Sequence, residues 1–291
     1  MPAPPGVERQ FWFRSTTRYV TRGSKLETRF LGVEELKAII LAAGSGKRLR
    51  PLTDGTPKAL VEIGGRTLIE HSLAKLGQCE IREAIIVIGH LGDVIRTRIG
   101  NSCLGLEIRY IENPMFRESG SMYSLWLTKG QLDSDVVFMD ADILYNRKIL
   151  EVLVESEWTD CVSVGKLSQD SGEEVKVFAK DGLVRNIGKR AVSDLECLGE
   201  YVGIVKLSES GIDLLFRRAE QYFVGHDKNL EYEDCLQMLC DVHDLHYEFF
   251  EDLSWTEIDV SADIERAKVE IYPKILEEER VSLERSQGGR V

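Results

Sequence analysis

Leu41-Ala42-Ala43-Gly44-Ser45-Gly46-Lys47-Arg48-Leu49-Arg50-Pro51-Leu52-Thr53, with Pro57-Lys58-Ala59-Leu60 close behind, decides the reading of this chain. The stretch follows Ala38 to Leu41, an apolar run of the kind that forms a buried parallel strand. A strand that empties into a glycine-rich loop beside Lys47, Arg48, Arg50 and Lys58 is suited to a polyphosphate. Glycines let backbone N–H groups approach the anion, and the cations neutralise it. Two familiar phosphate loops are excluded by spelling. The dinucleotide fingerprint needs glycine where Leu49 stands, and the P-loop needs glycine at Leu41 and a hydroxyl at Arg48. The competing reading is a glycine-rich turn with a solvated basic face.

Working outward, apolar runs at 37–42, 84–89, 106–111 and 135–141 alternate with helical patterns near 67–77, 92–99, 121–130 and 147–156. That succession predicts an α/β fold: a Rossmann-like, mixed but mainly parallel sheet with helices on both faces. Closely spaced β-like runs at 160–167, 174–180 and 183–188 follow, two of them joined across Asp181-Gly182, a hairpin turn. They predict a small β-rich lobe at about 160–235. Helices near 208–223 and 232–242 and a strand at 245–250 come next, and Ser261 is expected to cap a last helix. Residues 37–267 then form the main domain, and 268–291 a C-terminal helix and tail.

Residues 1–36 differ in composition. Six cations from Arg9 to Arg29 oppose Glu8 and Glu27, with Phe11, Trp12 and Phe13 among them. The segment is expected to be a basic, disordered extension, or else an arm packed on a second copy in a homodimer. The whole chain of 291 residues carries a net charge of −12, which argues against a nucleic-acid surface. Six scattered cysteines without a C-x-x-C pair point to reduced thiols and a cytoplasmic protein. No apolar run reaches the roughly 18 residues of a membrane span.

Two acidic motifs complete the pattern. Phe138-Met139-Asp140-Ala141-Asp142 ends an apolar strand, at the edge of a parallel sheet where ligands bind. A carboxylate there suits metal ligation, or else a helix N-cap near Tyr145. In Trp255-Thr256-Glu257-Ile258-Asp259, extended backbone puts Glu257 and Asp259 on one face. Two separate acidic motifs in one phosphate-binding chain suggest a shared Mg2+.

These residues together resemble the LicC-type cytidylyltransferases of the nucleotidyltransferase superfamily, the phosphocholine and 2-aminoethylphosphonate cytidylyltransferase group. The resemblance runs from Lys37 to about Ala267. Beyond the glycine loop it rests on Asn113 to Leu125, Asp140 to Asp142, Gly199 to Gly203, Glu231 to Asp234 and Trp255 to Asp259. It implies a GT-A-like nucleotidyltransferase fold. It also implies transfer of CMP from CTP to a small phosphate or phosphonate monoester, with release of pyrophosphate. By the same resemblance Leu41, Ala42, Ala43, Gly44, Ser45, Gly46, Lys47, Gly120 and Ser121 hold the nucleotide, and Arg48 and Lys58 meet its phosphates. Asp142 and Asp259 ligate Mg2+ with Glu257 in support, so Arg48, Lys58, Asp142 and Asp259 form the catalytic set. The G-T-A-x-A and E-K-P elements of sugar pyrophosphorylases are replaced here by Ser119 to Tyr123 and Ile187 to Arg190. That leaves a sugar-1-phosphate nucleotidyltransferase, or an inactive nucleotide-binding regulatory module, as the alternatives.

For the acceptor, Tyr123, Trp126, Tyr201, Tyr232 and Trp255 suggest an aromatic cage for a quaternary ammonium, or else simple core packing. Glu200, Glu231, Glu233 and Asp234 suggest charged hydrogen bonds to a primary one. Lys189, with Lys166 and Lys176, is a candidate for the acceptor's phosphorus oxygens. An acceptor phosphate, with a second pKa of about 6, is largely ionised at pH 7 and needs no general base. None is evident among the five histidines.

Overall fold

Lys37-Ala-Ile-Ile-Leu-Ala42 forms strand β1, buried along nearly its whole length at the centre of the main sheet. This computed structural model describes residues 36–167 and 170–288. The expected extension, Leu36 apart, therefore lies outside the described residues. After β1 comes a short hairpin of β2 (Glu62–Ile63) and β3 (Arg66–Thr67), which leads into helix α1 (Leu68–Gln78). Thr67 starts that helix with a capping box: its hydroxyl accepts from the Glu70 N–H, and the Glu70 carboxylate accepts from the Thr67 N–H. Strand β4 (Glu83–Ile88), helix α2 (Gly92–Ile99) and the pair β5 (Ser102–Cys103) and β6 (Leu106–Glu112) follow.

Helix α3 (Ser121–Trp126) is shorter than the sequence suggests. The Thr128 hydroxyl donates back to the Leu125 carbonyl at 2.7 Å, and the chain tightens into a 3-10 turn at 129–131. Then come β7 (Val136–Asp140), β8 (Ile143–Tyr145) and α4 (Arg147–Glu155). The cap of α4 is Asn146, whose side chain accepts from the Lys148 N–H, so the cap reading of Asp142 finds no support. Strand β9 (Cys161–Gly165), the hairpin β10 (Lys176–Lys180) and β11 (Leu183–Gly188), and the long β12 (Glu196–Leu207) complete the β-rich region. Helices α5 (Glu209–Gly225) and α6 (Tyr232–Cys240) precede β13 (His246–Phe250) and β14 (Trp255–Glu257). The chain ends in α7 (Ser261–Arg266), a π turn at 267–271 and α8 (Tyr272–Gly288). Ser261 is the first residue of α7 and not its cap. The Asp263 carboxylate takes the free N–H groups of Asp259 and Val260 instead.

The sheet is mixed. Its centre, β7-β1-β4-β6, is parallel. Strand β12 runs antiparallel to β7 and carries β9 and the β10–β11 hairpin antiparallel beyond it. Alternate residues serve two layers. Ile40, Ile86 and Met139 pack with α1, α2 and α4 on one face, while Ile39, Ile85 and Phe138 pack with α3, α5 and α6 on the other. Each such side chain contributes about 1.5–3 kcal/mol of burial, so both faces anchor the central strands. A third cluster, including Leu49, Leu144, Ile258 and Ile264, ties the glycine loop to β8, α7 and α8. Among the described residues no helix is long and apolar enough to cross a membrane.

Candidate active site

Register puts the two strongest sequence features at one edge of the sheet. Leu41 of β1 stands level with Asp140 of β7, and the Ala141 N–H donates to the Leu41 carbonyl. The glycine loop and Asp140-Ala141-Asp142 therefore leave the sheet side by side. Gly46 turns the loop with φ +56°, and a Cβ there would stand 3.1 Å from Thr53 Cγ2. Its carbonyl accepts from the Leu49 N–H and, at 2.7 Å, from the Thr53 hydroxyl, while buried Leu49 anchors the turn. The loop lines a cleft of about 290 Å³ with Lys58, Asp142, Ser119, Ser121 and Glu231.

The second feature is assembled by a ribbon. Strand β14 pairs antiparallel with β8, Glu257 opposite Ile143, and the Ile258 N–H donates to the Asp142 carbonyl. Asp142, Glu257 and Asp259 thereby place carboxylate oxygens within 4.8 Å of one another. Lys58 enters from the 3-10 turn Lys58–Leu60, its Nζ 2.6 Å from Asp142, 2.7 Å from Asp259 and 3.9 Å from Glu257. Burial works against the Lys58 charge, but the three carboxylates outweigh it and hold its pKa above the ordinary value. Arg48 donates to the same Asp259 oxygen at 2.7 Å. Asp259 is held below the usual carboxylate range: its burial is overcome by Lys58 and Arg48. Glu257 is pushed up by burial and by the neighbouring Asp142 and Asp259.

This donor set fits a small, hard divalent cation. All its ligand atoms are carboxylate oxygens, and the buried Asp142 Oδ1 has no hydrogen-bond partner among the described residues. The cation at its centre here is the Lys58 ammonium, engaged by Asp142 from the turn between β7 and β8 and by Asp259 from the segment after β14. Behind it sits a buried shell that the sequence does not announce. The Tyr232 hydroxyl donates to Asp140 Oδ2. Burial first, then Asp142 and Glu233, raises the Asp140 pKa well above the carboxylate range. Gly203, with φ +89°, passes so close that a Cβ would stand 3.0 Å from Asp140 Oδ2.

The helix α3 terminus carries a different chemistry from the one expected of Gly120 and Ser121. Their donors are already in use. Gly120 N–H bonds to the Lys228 carbonyl, and the Ser121 N–H and hydroxyl both donate to Glu231 Oε2, at 2.9 and 2.5 Å. Glu231, one of the expected ammonium ligands, is therefore the group this segment presents to the cleft. Preceding α3, buried Asn113 organises the loop: Oδ1 accepts from the Met115 N–H, and Nδ2 reaches the hydroxyls of Ser119 and Ser124.

The expected acceptor residues divide. Glu200 and Trp255 line a second cavity, of about 220 Å³, with Glu173, Glu174, Lys166 and Arg266, and it shares Glu257 and Asp259 with the carboxylate cluster. Glu200 is pushed up to about 7 by burial and then by Glu174, against the pull of Arg266. The Trp255 indole lies against Gly165, where a Cβ would meet its Nε1 at 2.2 Å. Lys189 is exposed and bonds to Glu173 at 2.9 Å, outside the cavity's lining. Lys176 is held by Asp170. Tyr201 and Glu233 belong to the shell around Asp140, where the Tyr201 hydroxyl and Glu233 Oε2 find no hydrogen-bond partner among the described residues. Tyr123 stacks on Trp126 at 5.6 Å with Lys228 over its ring, on α3. The structure does not bring the last three into the acidic cavity. Glu174 and Arg266, which the sequence reading missed, have no local motif; only the pairing of β10 and β14 with neighbouring strands brings them near.

Comparison with known proteins agrees with the fold. Residues 37–166 match the family described as nucleotidyl transferase. It is 30% identical over 131 residues to a CMP-5'-(3-aminopropyl)phosphonate synthase of Streptomyces rubellomurinus, covering 45% of this chain and 21% of that protein. It is 25% identical over 253 residues to a CTP:phosphoglutamine cytidylyltransferase of Campylobacter jejuni, covering 79% of this chain and 98% of the relative. Among solved structures, the CTP:phosphocholine cytidylyltransferase of Streptococcus pneumoniae superposes with a TM-score of 0.66 at 26% identity, over 80% of this chain and 98% of that one. The alignments with the first three curated relatives span only between 21% and 50% of their lengths.

Proposed function

We propose that this protein is a cytidylyltransferase of the nucleotidyl transferase family: it moves CMP from CTP to a small phosphate or phosphonate monoester with a cationic head group, such as phosphocholine or 2-aminoethylphosphonate. The observation that carries the reading is the junction at Lys58. There a carboxylate cluster joins a glycine-loop cleft, suited to a nucleoside triphosphate, to an acidic cavity suited to an ammonium group. Related cytidylyltransferases support the CTP half.

In this reading an ionised oxygen of the acceptor attacks the α-phosphorus of CTP in line. A P–O bond forms there, the bond to the β-phosphate breaks, and pyrophosphate leaves. The loop from Leu41 to Gly46 orients the triphosphate by backbone N–H groups, with Lys47 alongside. Arg48 and Lys58 offset charge that builds on the phosphoryl oxygens, released for this from the Asp259 contact they share here. Asp142, Asp259 and Glu257 would hold Mg2+, which when bound supplies charge neutralisation and alignment of phosphate oxygens. Glu200, Glu174 and Trp255 orient the acceptor's head group.

A pyrophosphate-release assay tests this, with four nucleoside triphosphates against phosphocholine, 2-aminoethylphosphonate, phosphoethanolamine and glucose-1-phosphate. The expected result is turnover with CTP and an ammonium-bearing acceptor. Equal turnover with UTP or dTTP and the sugar phosphate would sink the proposal, and no turnover in any pairing would favour a regulatory module.

A further inference from the structure

We infer that Glu231, together with the hydroxyls of Ser119 and Ser124, reads the Watson–Crick edge of the nucleobase and selects cytosine over uracil. The inference rests on the cytidylyl reading above and adds the residues that make the choice.

The argument begins with Asn113, which is 1% exposed. Its orientation is fixed, because the Met115 N–H at 2.8 Å can be accepted only by the amide oxygen. The amide nitrogen is then forced toward Ser119 Oγ, at 3.0 Å, and Ser124 Oγ, at 2.9 Å, one hydrogen to each. A hydroxyl that accepts in this way has its own proton to give elsewhere. Neither serine hydroxyl finds a further partner among the described residues, and both line the glycine-loop cleft. Asn113 thus biases two cleft hydroxyls toward donation.

Glu231 supplies the opposite polarity in the same cleft. Its Oε2 is committed to Ser121, which ties the carboxylate between α3 and α6. Its Oε1 has no hydrogen-bond partner among the described residues, and Glu231 is an exposed lining residue. The cleft therefore offers one fixed carboxylate acceptor and two biased hydroxyl donors. Cytosine presents the complement: an N4 amine that donates, beside N3 and O2 that accept. Uracil reverses the first two positions, so O4 would face the carboxylate and its N3–H would face a donor. A site built to bond one edge rejects the other because its polar groups are left unpaired.

The test compares kcat/KM for CTP and UTP, at a saturating ammonium-bearing acceptor, in wild type, Glu231→Gln and Ser119→Ala. Glutamine keeps an oxygen for the Ser121 N–H but can turn an N–H toward O4. Glu231→Gln is expected to lower the CTP:UTP ratio about tenfold or more, part of it by raised UTP turnover. Ser119→Ala is expected to lower it about fivefold by loss of CTP turnover alone. Ser119 lies outside the helix, so this variant carries the test if Glu231→Gln does not fold. Calorimetric binding of CTP and UTP without acceptor should follow the same order. A wild-type ratio near one ends the cytidylyl reading and this inference together. A wild-type preference for CTP that both variants preserve ends this inference alone.

Discussion

The glycine-loop cleft and the acidic cavity solve opposite electrostatic problems within one protein of net charge −12. The cleft is floored by one contiguous stretch at the end of a central parallel strand, Leu41 to Ser45, with Lys58 beside it and the Asn113 to Ser124 segment and Glu231 closing the other side. The cavity is gathered from β12, β14, α7 and the segment before β10, and its polarity comes from Glu173, Glu174 and Glu200. Between them stand two cations, Arg48 and Lys58, and three carboxylates, Asp142, Glu257 and Asp259. Cationic and acidic surfaces this close cancel where they pair. Here they do pair at the junction, Arg48 and Lys58 with Asp259 and Lys58 also with Asp142, while Glu173, Glu174 and Glu200 stand beyond it in the cavity.

The largest effect should come from breaking the junction. Asp142→Asn keeps shape and hydrogen bonding but removes the charge that would hold a divalent cation. It should cost several kcal/mol of transition-state stabilisation, a rate loss of about a hundredfold or more. Asp259→Asn should behave alike, and the double variant should fall far short of additivity, because both residues act on one centre. Single-turnover rates at limiting Mg2+ measure this. A variant that keeps the wild-type rate is no ligand, and the junction then belongs to the Lys58 ion pairs alone.

The same contrast explains what the sequence disclosed. The cleft was legible because its chemistry is local: spacing within Leu41 to Gly46 dictates the turn, and one apolar strand dictates where it stands. The ribbon was half legible. Alternation put Glu257 and Asp259 on one face, but nothing local pairs them with Lys58, 201 residues away from Asp259. Asp259 thus gained a cationic partner that no short-range pattern could announce. Likewise Glu174 and Arg266 are ordinary charged residues until strand pairing gives them a cavity in common. Ser261 differs from expectation for a local reason: the helix starts one residue earlier, and the Asp263 carboxylate reaches back to the N–H groups of Asp259 and Val260 and fixes the entry of the chain.

Sharpening the acidic side calls for Glu200→Gln. Loss of one charged hydrogen bond, about 1.5 kcal/mol, should raise KM for an ammonium-bearing acceptor about tenfold and leave KM for CTP unchanged. The pH profile gives an independent check. Burial and Glu174 raise Glu200 to about 7, so below that pH the carboxyl is neutral and grips an ammonium less. Wild-type acceptor KM should rise on acidification below pH 7, an increase that Glu200→Gln should lack. Stability moves the opposite way. The folded carboxyl keeps a proton that the unfolded chain releases near 4.5, so this group's contribution is present at low pH and is lost as pH rises toward 7. Thermal melts of wild type should weaken across that window relative to Glu200→Gln, and equal slopes would show that Glu200 is not the group concerned.

On the nucleotide side, Gly120→Ala tests whether the α3 terminus must lie against the segment before α6. A Cβ at 120 would stand 2.3 Å from the Leu230 carbonyl oxygen, a backbone atom with no rotamer to escape into. Overpacking of this kind costs about 1–3 kcal/mol, which melting should report as a drop of several degrees. An unchanged melting temperature would mean that the two segments separate freely.

The smallest expected effect belongs to Thr53→Val. Thr53 is 1% exposed, and its hydroxyl donates to the Gly46 carbonyl at 2.7 Å, holding the loop where φ is positive. Valine fills the same space without the donor. The carbonyl keeps its bond from the Leu49 N–H, so no buried acceptor is left bare and the cost should stay near 1 kcal/mol. A loop less firmly held presents its N–H groups less well, so KM for CTP should rise a few-fold. The acceptor should notice nothing, because the loop contributes no lining to the acidic cavity. Acceptor KM moving in step with CTP KM would show that the two regions are coupled through the loop, not joined only at the Lys58 cluster.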